Sequence, residues 1–188
     1  GIAQYRRSSD DFAIPLDDRG HPILAYSACL TEQGVIFGGR NRIYRYDYDS
    51  RSIKLLLDFS SDPYFAISAI SRWDEETLLC CSRWQGLRLI NLRSGERRLP
   101  PFDCGKEIMA LLIDSHNRIW LAPYNEGLRC FNPEGRLLAS YTTDNSGLSN
   151  NVVLSMAERD SHIWVGTDGG GINIIHPDSH RITVLEHI

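Results

Sequence analysis

The stretch that decides the fold is IWVGTDGGGINII, residues 163–175, in which a glycine-rich turn separates two apolar runs. Three earlier segments have the same layout: GVIFGGRNRIYRY (34–46), LLCCSRWQGLRLI (78–90) and IWLAPYNEGLRCF (119–131). Their anchor residues are spaced 44, 41 and 44 positions apart: Val35, Leu79, Trp120 and Trp164. The register holds over the four copies, so the chain is a repeat protein.

Each copy predicts four short β-strands. An alternating run precedes the anchor, and the residue that opens it lies twelve positions upstream in every copy: Ile23, Ile67, Ile108 and Val152. One more apolar segment closes each copy: SIKLLLDF, ERRLPPF, RLLASYT and RITVLEH. The runs are rich in β-branched, Leu and aromatic residues, and Gly, Asn, Asp and Pro separate them. Four strands in 41 to 44 residues are typical of a β-propeller blade, because neighbouring blades cover the faces that one sheet leaves open.

The glycine-rich turn has a second interpretation, as a phosphate-binding loop. A P-loop requires Gly-Lys-Ser/Thr before a helix, and the dinucleotide fingerprint also requires a helix after its glycines. Here the glycines are followed by INIIH (172–176), which alternates like a strand and contains no lysine. Asp168-Gly169 is a strong hairpin signal, because glycine accepts the positive φ of such turns. The sequence therefore predicts that this loop reverses the chain.

The repeat boundaries predict an all-β fold, a partial β-propeller of about four and a half four-stranded antiparallel blades, in one unit spanning 1–188. Gly1-Ile2 aligns with Gly171-Ile172, so residues 1–17 are predicted to be the last two strands of a blade. Four complete blades are predicted to follow: 18–61, 62–103, 104–147 and 148–188. An arc of blades has an edge at each end, so we expect a homodimer or another self-association through open blade edges.

Composition excludes several functional classes. The 20 basic and 24 acidic residues give a net charge of −4 and form no run of one sign. Such a chain has no electrostatic footprint for nucleic acid and no basic face for a membrane surface. It also lacks the roughly 18 consecutive apolar residues of a membrane span. The opening GIAQYRRSSDD is not a signal peptide, and we expect it to continue from a longer protein.

Metal and cofactor sites are not predicted. The cysteines are five, at irregular spacings without a C-x-x-C pair: Cys29, Cys80, Cys81, Cys104 and Cys130. Cys80 and Cys130 lie in apolar runs and are predicted to be core residues. Five of the six histidines lie in or near turns and show neither ligand spacing nor the arrangement of a catalytic triad: His116, His162, His176, His180 and His187.

No constellation of residues predicts catalysis. Asp114 and Glu158 suggest the paired carboxylates of a glycoside hydrolase. Each precedes a polar turn at the same place in its own copy, so both are interpreted as solvated turn residues. Trp120 and Trp164 share a repeat position and are predicted to pack between neighbouring blades, whereas Trp73 is predicted to be exposed near a strand end. The fragment is therefore predicted not to be an enzyme.

The segment SGLSNNVVLSMAERDSHIWVGTDGGGINIIHP (146–177) resembles the propeller repeat of bacterial hybrid two-component regulators. The matching positions are Gly147, Leu148, Ser149, Asn151, Val153, Trp164, Gly166, Thr167, Gly170 and Gly171. The preceding copy keeps Asp114, Ile119, Trp120, Gly127 and Leu128. It departs from the pattern at Ala122-Pro123, where Gly-Thr is expected. The first two copies keep only the hydrophobic skeleton and the hairpin.

The resemblance implies a function that the residues alone do not. In such regulators, propellers precede a β-sandwich domain, a membrane helix and cytoplasmic histidine kinase, receiver and DNA-binding modules. The periplasmic part senses oligosaccharides released from glycans and controls the genes for their use. The chain is accordingly expected to be a non-catalytic periplasmic sensor segment of an inner-membrane-anchored protein. Its expected mechanism is a population shift, in which ligand favours one arrangement of a propeller dimer.

Candidate ligand-binding residues come from the turns between the second and third strands of each blade. These turns are expected on the same rim as the links between blades, where a ligand enters. They supply Arg40, Asn41, Arg83, Trp84, Tyr124, Asn125, Glu126 and Asp168. Aromatic rings that stack on a sugar, beside amide, guanidinium and acidic groups that bond its hydroxyls, fit an oligosaccharide. Alternatively, Trp84 and Tyr124 cover the adjacent blade and the charges are merely solvated.

Two further functions remain open at this point. One is a propeller scaffold that binds a protein partner on its rim. The other is a fragment of a propeller-fold carbohydrate-active enzyme, such as a polysaccharide lyase or a glycosidase.

Overall fold

The computed structural model describes residues 3–6, 10–17, 20–82, 85–102 and 107–185. Several residues used in the sequence predictions lie outside these ranges: Gly1, Ile2, Arg83, Trp84, Cys104 and His187. Every regular element within the ranges is a β-strand. The first two strands, β1 (Gln4–Arg6) and β2 (Asp11–Ala13), form a two-stranded antiparallel sheet.

The other strands form four antiparallel sheets of four strands, each in chain order. The first sheet has β3 (Ser27–Thr31), β4 (Gly34–Gly39), β5 (Arg42–Asp47) and β6 (Ile53–Asp58). The second has β7 (Ile67–Arg72), β8 (Thr77–Ser82), β9 (Gly86–Asn91) and β10 (Arg97–Arg98). The third has β11 (Ile108–Ile113), β12 (Ile119–Pro123), β13 (Leu128–Phe131) and β14 (Leu137–Tyr141). The fourth has β15 (Val153–Arg159), β16 (His162–Thr167), β17 (Gly171–His176) and β18 (Arg181–Leu185).

The four sheets are successive blades of a propeller. The first strands of neighbouring sheets contact one another in a row, β3 against β7, β7 against β11 and β11 against β15. Among the described strands, β3 and β15 make no comparable contact. The predicted fold class, an all-β propeller of four-stranded antiparallel blades, is confirmed.

Alternation along the second strand of each blade explains why the sheets stack. In β8, Leu78 and Cys80 pack into the apolar cluster against the first sheet, whereas Leu79 and Cys81 pack into the cluster against the third. Successive side chains point to opposite faces of a strand, so an uninterrupted apolar run is buried on both sides. All of β8 is buried accordingly. Each fully buried Leu contributes about 1.5–3 kcal/mol, so these clusters hold the blades together.

Two strands differ from the predicted pattern for local reasons. The alternating run from Ile23 was expected to begin the first blade, but β3 begins at Ser27. The Ile23 N–H donates to the Pro15 carbonyl (3.1 Å), so this segment pairs with the chain before it. The last strand of the second blade, β10, has two residues, because Pro100 and Pro101 follow it and cannot donate to a ladder.

The turn between the second and third strands has one backbone geometry in several blades. The glycine-rich segment reverses the chain as predicted, with β16 ending at Thr167 and β17 beginning at Gly171. Gly127 and Gly171 occupy the same repeat position, and both have φ +73°. A Cβ at Gly127 would lie 2.1 Å from the Tyr141 carbonyl oxygen, whereas at Gly171 the nearest atom would be 3.7 Å away. The turn conformation is therefore shared, but the available space is not.

Asp114 corrects a sequence prediction. It was interpreted as a solvated turn residue, but its side chain is fully buried. Its carboxylate accepts bonds from the His116 and Arg118 N–H groups (both 2.9 Å), from Arg118 Nε (2.6 Å) and from Trp120 Nε1 (2.8 Å). The prediction failed because it treated Asp114 alone, without the two side chains that fold back over the turn.

The other aromatic and cysteine predictions have mixed outcomes. Trp120 is fully buried in the cluster between the third and fourth sheets, as predicted. Trp164 is half-buried, while its neighbours Ile163 and Val165 enter that cluster. Trp73, predicted to be exposed, is half-buried because it packs against Phe102 at 6.2 Å between ring centroids. The cysteines predicted to be core residues, Cys80 and Cys130, are buried, and burial raises the pKa of Cys130 to about 12.

Alanine at the two equivalent glycines separates backbone strain from steric clash. Gly171→Ala is expected to lower the free energy of unfolding by about 1 kcal/mol, the cost of a left-handed non-glycine residue. Gly127→Ala is expected to cost about 3 kcal/mol, because the same strain is joined by overlap with the Tyr141 carbonyl. Urea denaturation of both variants measures the difference. Equal losses would contradict the close approach at Gly127.

Replacing Asp114 tests whether it is structural. Asp114→Ala is expected to lower the free energy of unfolding by about 3 kcal/mol, because the half-buried Arg118 guanidinium and the buried Trp120 indole N–H lose their acceptor. The matched control is Asp178→Ala, which removes the other carboxylate beside Arg118 (3.5 Å) at a site where the side chain is 99% exposed. We expect that control to change stability by less than about 0.5 kcal/mol in the same denaturation experiment.

Candidate functional site

The turns that carry the predicted ligand residues lie on the same rim as the links between blades. In the first blade, Arg40 and Asn41 form the turn between β4 and β5. The Ile67 N–H donates to the Arg40 carbonyl (2.5 Å), and the Phe59 N–H donates to the Asn41 carbonyl (2.7 Å). In the third and fourth blades, a turn N–H donates instead to the link that precedes the blade: Tyr124 N–H to Glu107 O (2.8 Å) and Asp168 N–H to Val152 O (2.9 Å). Backbone hydrogen bonds thus fix the turns of the first, third and fourth blades.

A cavity of about 650 Å³ opens at this rim between the first and second blades. Its described lining combines aromatic, small apolar, hydroxyl, amide and guanidinium groups: Tyr26, Arg40, Asn41, Ser60, Pro63, Phe65, Ala66, Ile67 and Ser68. Phe65 and Ile67 are fully buried, whereas 58% of Tyr26 is exposed. Apolar surface with a few polar groups is the usual composition of a small-molecule site.

Arg40 and Asn41 have side chains available for a ligand. Arg40 is exposed and Asn41 half-buried. Neither the guanidinium nor the amide bonds another side chain in the part of the chain that the structure describes. Arg40 has φ 48°, and the residues at its repeat position in the third and fourth blades, Asn125 and Gly169, have φ 58° and 73°. The backbone role of this position is therefore shared by several blades, and the side chain varies freely.

The link that forms the other wall of the cavity is anchored by Asp62. Its carboxylate accepts bonds from Arg97 Nη1 (2.8 Å) and from Gln85 Nε2 (3.1 and 3.2 Å). These bonds lower the pKa of Asp62, with the Arg97 bond as the largest cause. The Arg97 guanidinium also lies over the rings of Phe59 and Phe65, 5.2 and 4.8 Å from their centroids. Because Gln85 belongs to the turn of the second blade, Asp62 ties the link to that turn.

The remaining predicted site residues do not join this cavity. Tyr124, Asn125 and Glu126 are exposed on the third blade, where Glu126 pairs with Arg129 at 2.5 Å. Asp168 is exposed on the fourth blade. Two further candidates on the second blade, Arg83 and Trp84, lie outside the described residues. The structure therefore brings two of the eight predicted residues, Arg40 and Asn41, together in one described cavity.

Sequence reasoning missed the residues of the link and of the approach to β3. Tyr26, Ser60 and Phe65 line the cavity, although none belongs to a turn between second and third strands. The available signal was weak, because an aromatic residue in a link looks like ordinary core packing. A second missed feature is the pair His162 and His176, which lie opposite each other on β16 and β17 with ring centroids 4.3 Å apart.

The motif residues of the fourth repeat make structural contacts. The Asn173 side chain is fully buried, accepts from the Ser149 N–H (3.0 Å) and donates to Ser149 Oγ (2.7 Å). Asn151 accepts from the Thr143 N–H (2.9 Å) and donates to Thr143 Oγ1 (3.1 Å). These bonds hold the link between the third and fourth blades. The motif is thus a signature of architecture, and its polar atoms are engaged within the chain.

The carboxylates considered for catalysis are also engaged. Asp114 is buried in the network described above, and Glu158 accepts from the Ser115 N–H (2.7 Å) and Oγ (2.5 Å). Among the described residues, no group of three or more His, Cys, Asp and Glu side chains is placed to hold a metal ion. No helix in that same part of the chain has the length and apolarity to cross a membrane.

Comparison with known proteins identifies the repeat. Residues 147–169 match the family model of the two component regulator propeller. A comparison with curated proteins found no match for the chain. Among solved structures, two extracellular domains assigned to hybrid two component systems of B. thetaiotaomicron have TM-scores of 0.61. They are 16% and 12% identical to the chain and cover 86% and 87% of it. The WD40 β-propeller domain of Doa1 has a TM-score of 0.55 at 14% identity, covering 83% of this chain and 52% of its own.

These structural similarities establish the fold. The chain spans about a quarter of the two B. thetaiotaomicron domains, 25% and 24% of their lengths. The repeat recognised in the sequence at 146–177 is confirmed by the model match, which covers the copy with the most complete motif. The chain is thus a β-propeller that carries a two component regulator propeller repeat at residues 147–169.

Proposed function

We propose that this chain is a non-catalytic, periplasmic sensor segment of a hybrid two-component protein, and that its rim cavity binds a glycan-derived oligosaccharide. The regulator propeller repeat at 147–169 supports the signalling role. The observation that carries the binding role is the cavity at Arg40 and Asn41, where free polar side chains lie beside the exposed Tyr26 ring. Transcriptional control through a histidine kinase is part of the proposal and belongs to other domains of such a protein.

The lining of the cavity fits a sugar for physical reasons. The apolar faces of pyranose rings pack on aromatic rings, and Tyr26, a residue that is 58% exposed, is accessible for such a contact. The Asn41 amide offers both donors and an acceptor to sugar hydroxyls. A volume of about 650 Å³ lies within the range of small-molecule sites.

Self-association through open blade edges stays a prediction. Light scattering coupled to size-exclusion chromatography tests it, because it measures the mass of the species in solution.

A thermal-shift screen of the chain against neutral and acidic oligosaccharides of defined linkage tests the binding role. A ligand that binds the folded state raises the Tm by mass action, and a concentration of 100 times Kd contributes about 2.7 kcal/mol. Titration calorimetry then compares Tyr26→Ala with Tyr124→Ala, its matched control on the third blade. We expect the first variant to weaken binding about tenfold, because the stacking ring is lost, and the control to bind as the original chain does.

Other results of this screen would count against the proposal. Weakened binding in Tyr124→Ala alone would place the ligand on the third blade. Absence of a shift with every oligosaccharide would overturn the binding role and favour a scaffold for a protein partner. Chromatography of each mixture shows whether the oligosaccharide stays intact. Cleavage of any of them would overturn the non-catalytic assignment.

A further inference from the structure

The described lining of the rim cavity carries positive charge and no negative charge. Among the described residues that line it, Arg40 is the charged one, and the others are neutral. A carboxylate in the lining would repel an anionic ligand and satisfy the guanidinium, but none is present in this described set. The cavity therefore presents a positive group to whatever enters it.

Neighbouring carboxylates are already paired with other arginines. Asp58, at the end of β6, bonds Arg42 Nε at 3.1 Å. Asp62, in the link, bonds Arg97 Nη1 at 2.8 Å. Hydrogen bonds lower the pKa of both carboxyl groups, chiefly from Ser60 for Asp58 and from Arg97 for Asp62, so both remain ionised and satisfied. The charges of Asp58 and Asp62 are therefore already balanced by Arg42 and Arg97, and not by Arg40.

We propose that the rim cavity selects an acidic oligosaccharide, one that contains a uronic acid, and that Arg40 is the residue that determines this specificity. This inference rests on the proposed function and names the ligand class for the same site. A guanidinium bonds a carboxylate with two parallel N–H groups, which adds orientation to charge attraction. The carboxylate of a uronic acid projects from the ring edge, so Tyr26 remains available for the ring face. Asn41 then bonds a hydroxyl of the same ligand.

The position of Arg40 suits a specificity residue. Its backbone carbonyl accepts a hydrogen bond from Ile67, the first residue of β7, so the turn is held in place whatever side chain it carries. The left-handed φ of 48° is the geometric demand at this position, and asparagine tolerates such angles. Arg40→Asn therefore removes the guanidinium while keeping a residue that fits the turn.

Calorimetry with paired ligands tests the proposal. Each uronic-acid oligosaccharide in a panel is compared with its carboxyl-reduced form, which has the same linkages and ring shapes but no charge. We expect the acidic form to bind about tenfold to hundredfold more tightly, and this preference to fall as salt is raised. Arg40→Asn is expected to abolish the preference, and Arg40→Lys to keep part of it, because lysine retains the charge but not the planar fork.

A control variant separates a local contact from the overall charge. Arg136 is exposed in the turn between β13 and β14, away from the cavity, so Arg136→Asn makes the same change in net charge. We expect it to leave the preference intact. Equal loss of preference in Arg136→Asn and Arg40→Asn would overturn the role of Arg40.

The outcomes also distinguish this proposal from the one on which it rests. Binding of neutral oligosaccharides with no preference for acidic forms would overturn the specificity and leave the sensor function standing. Failure of every neutral and acidic ligand would overturn both. Arg40→Asn with unchanged stability but a lost preference for the acidic ligand is the result that supports the specificity.

Discussion

The structure depends on one constraint, which is that the central sheets are apolar on both faces. Along β8, Leu78 and Leu79 enter different clusters, so neither side of the second blade tolerates water. Hydrogen bonds within a sheet cannot satisfy this demand, and only another sheet on each side can. When the blades are stacked around an axis, each blade covers an apolar face of the next one. The repeat length, the links and the rim all follow from it.

Stacking also explains why the rim is suited to binding. The link between blades must return from the outer strand to the next inner strand, and it passes the turns as it does so. The carbonyl groups of Arg40 and Asn41 accept bonds from Ile67 and Phe59, at the two ends of this link, so the backbone of the turn is fixed. Side chains on the turn are then free to vary without loss of the fold. The proposed binding site therefore lies where packing constrains the side chains least, as is usual for loops on a rigid scaffold.

Buried polar groups have the opposite role. Asp114 and Asn173 are buried, and each is satisfied by several bonds within its own blade or link. Such groups specify a conformation, because an unpaired polar group in the core would cost about 1–3 kcal/mol. This is why the regulator repeat motif describes architecture so well and says little about the ligand. Its polar residues are occupied in holding the blade.

The sequence by itself determined the fold class, the repeat, the hairpin at Asp168-Gly169 and the burial of Trp120. Each of these follows from the local alternation of apolar and polar residues, from turn residues or from the fixed spacing of the repeats. Only the tertiary structure decided that Arg40 and Asn41 meet Tyr26 and a link in one cavity. It also decided that Asp114 is buried beneath neighbouring side chains. Such contacts depend on how segments that are distant in sequence approach each other in space. The periodicity of the sequence indicates the face of a strand on which a residue lies, but not which residues of other segments it contacts.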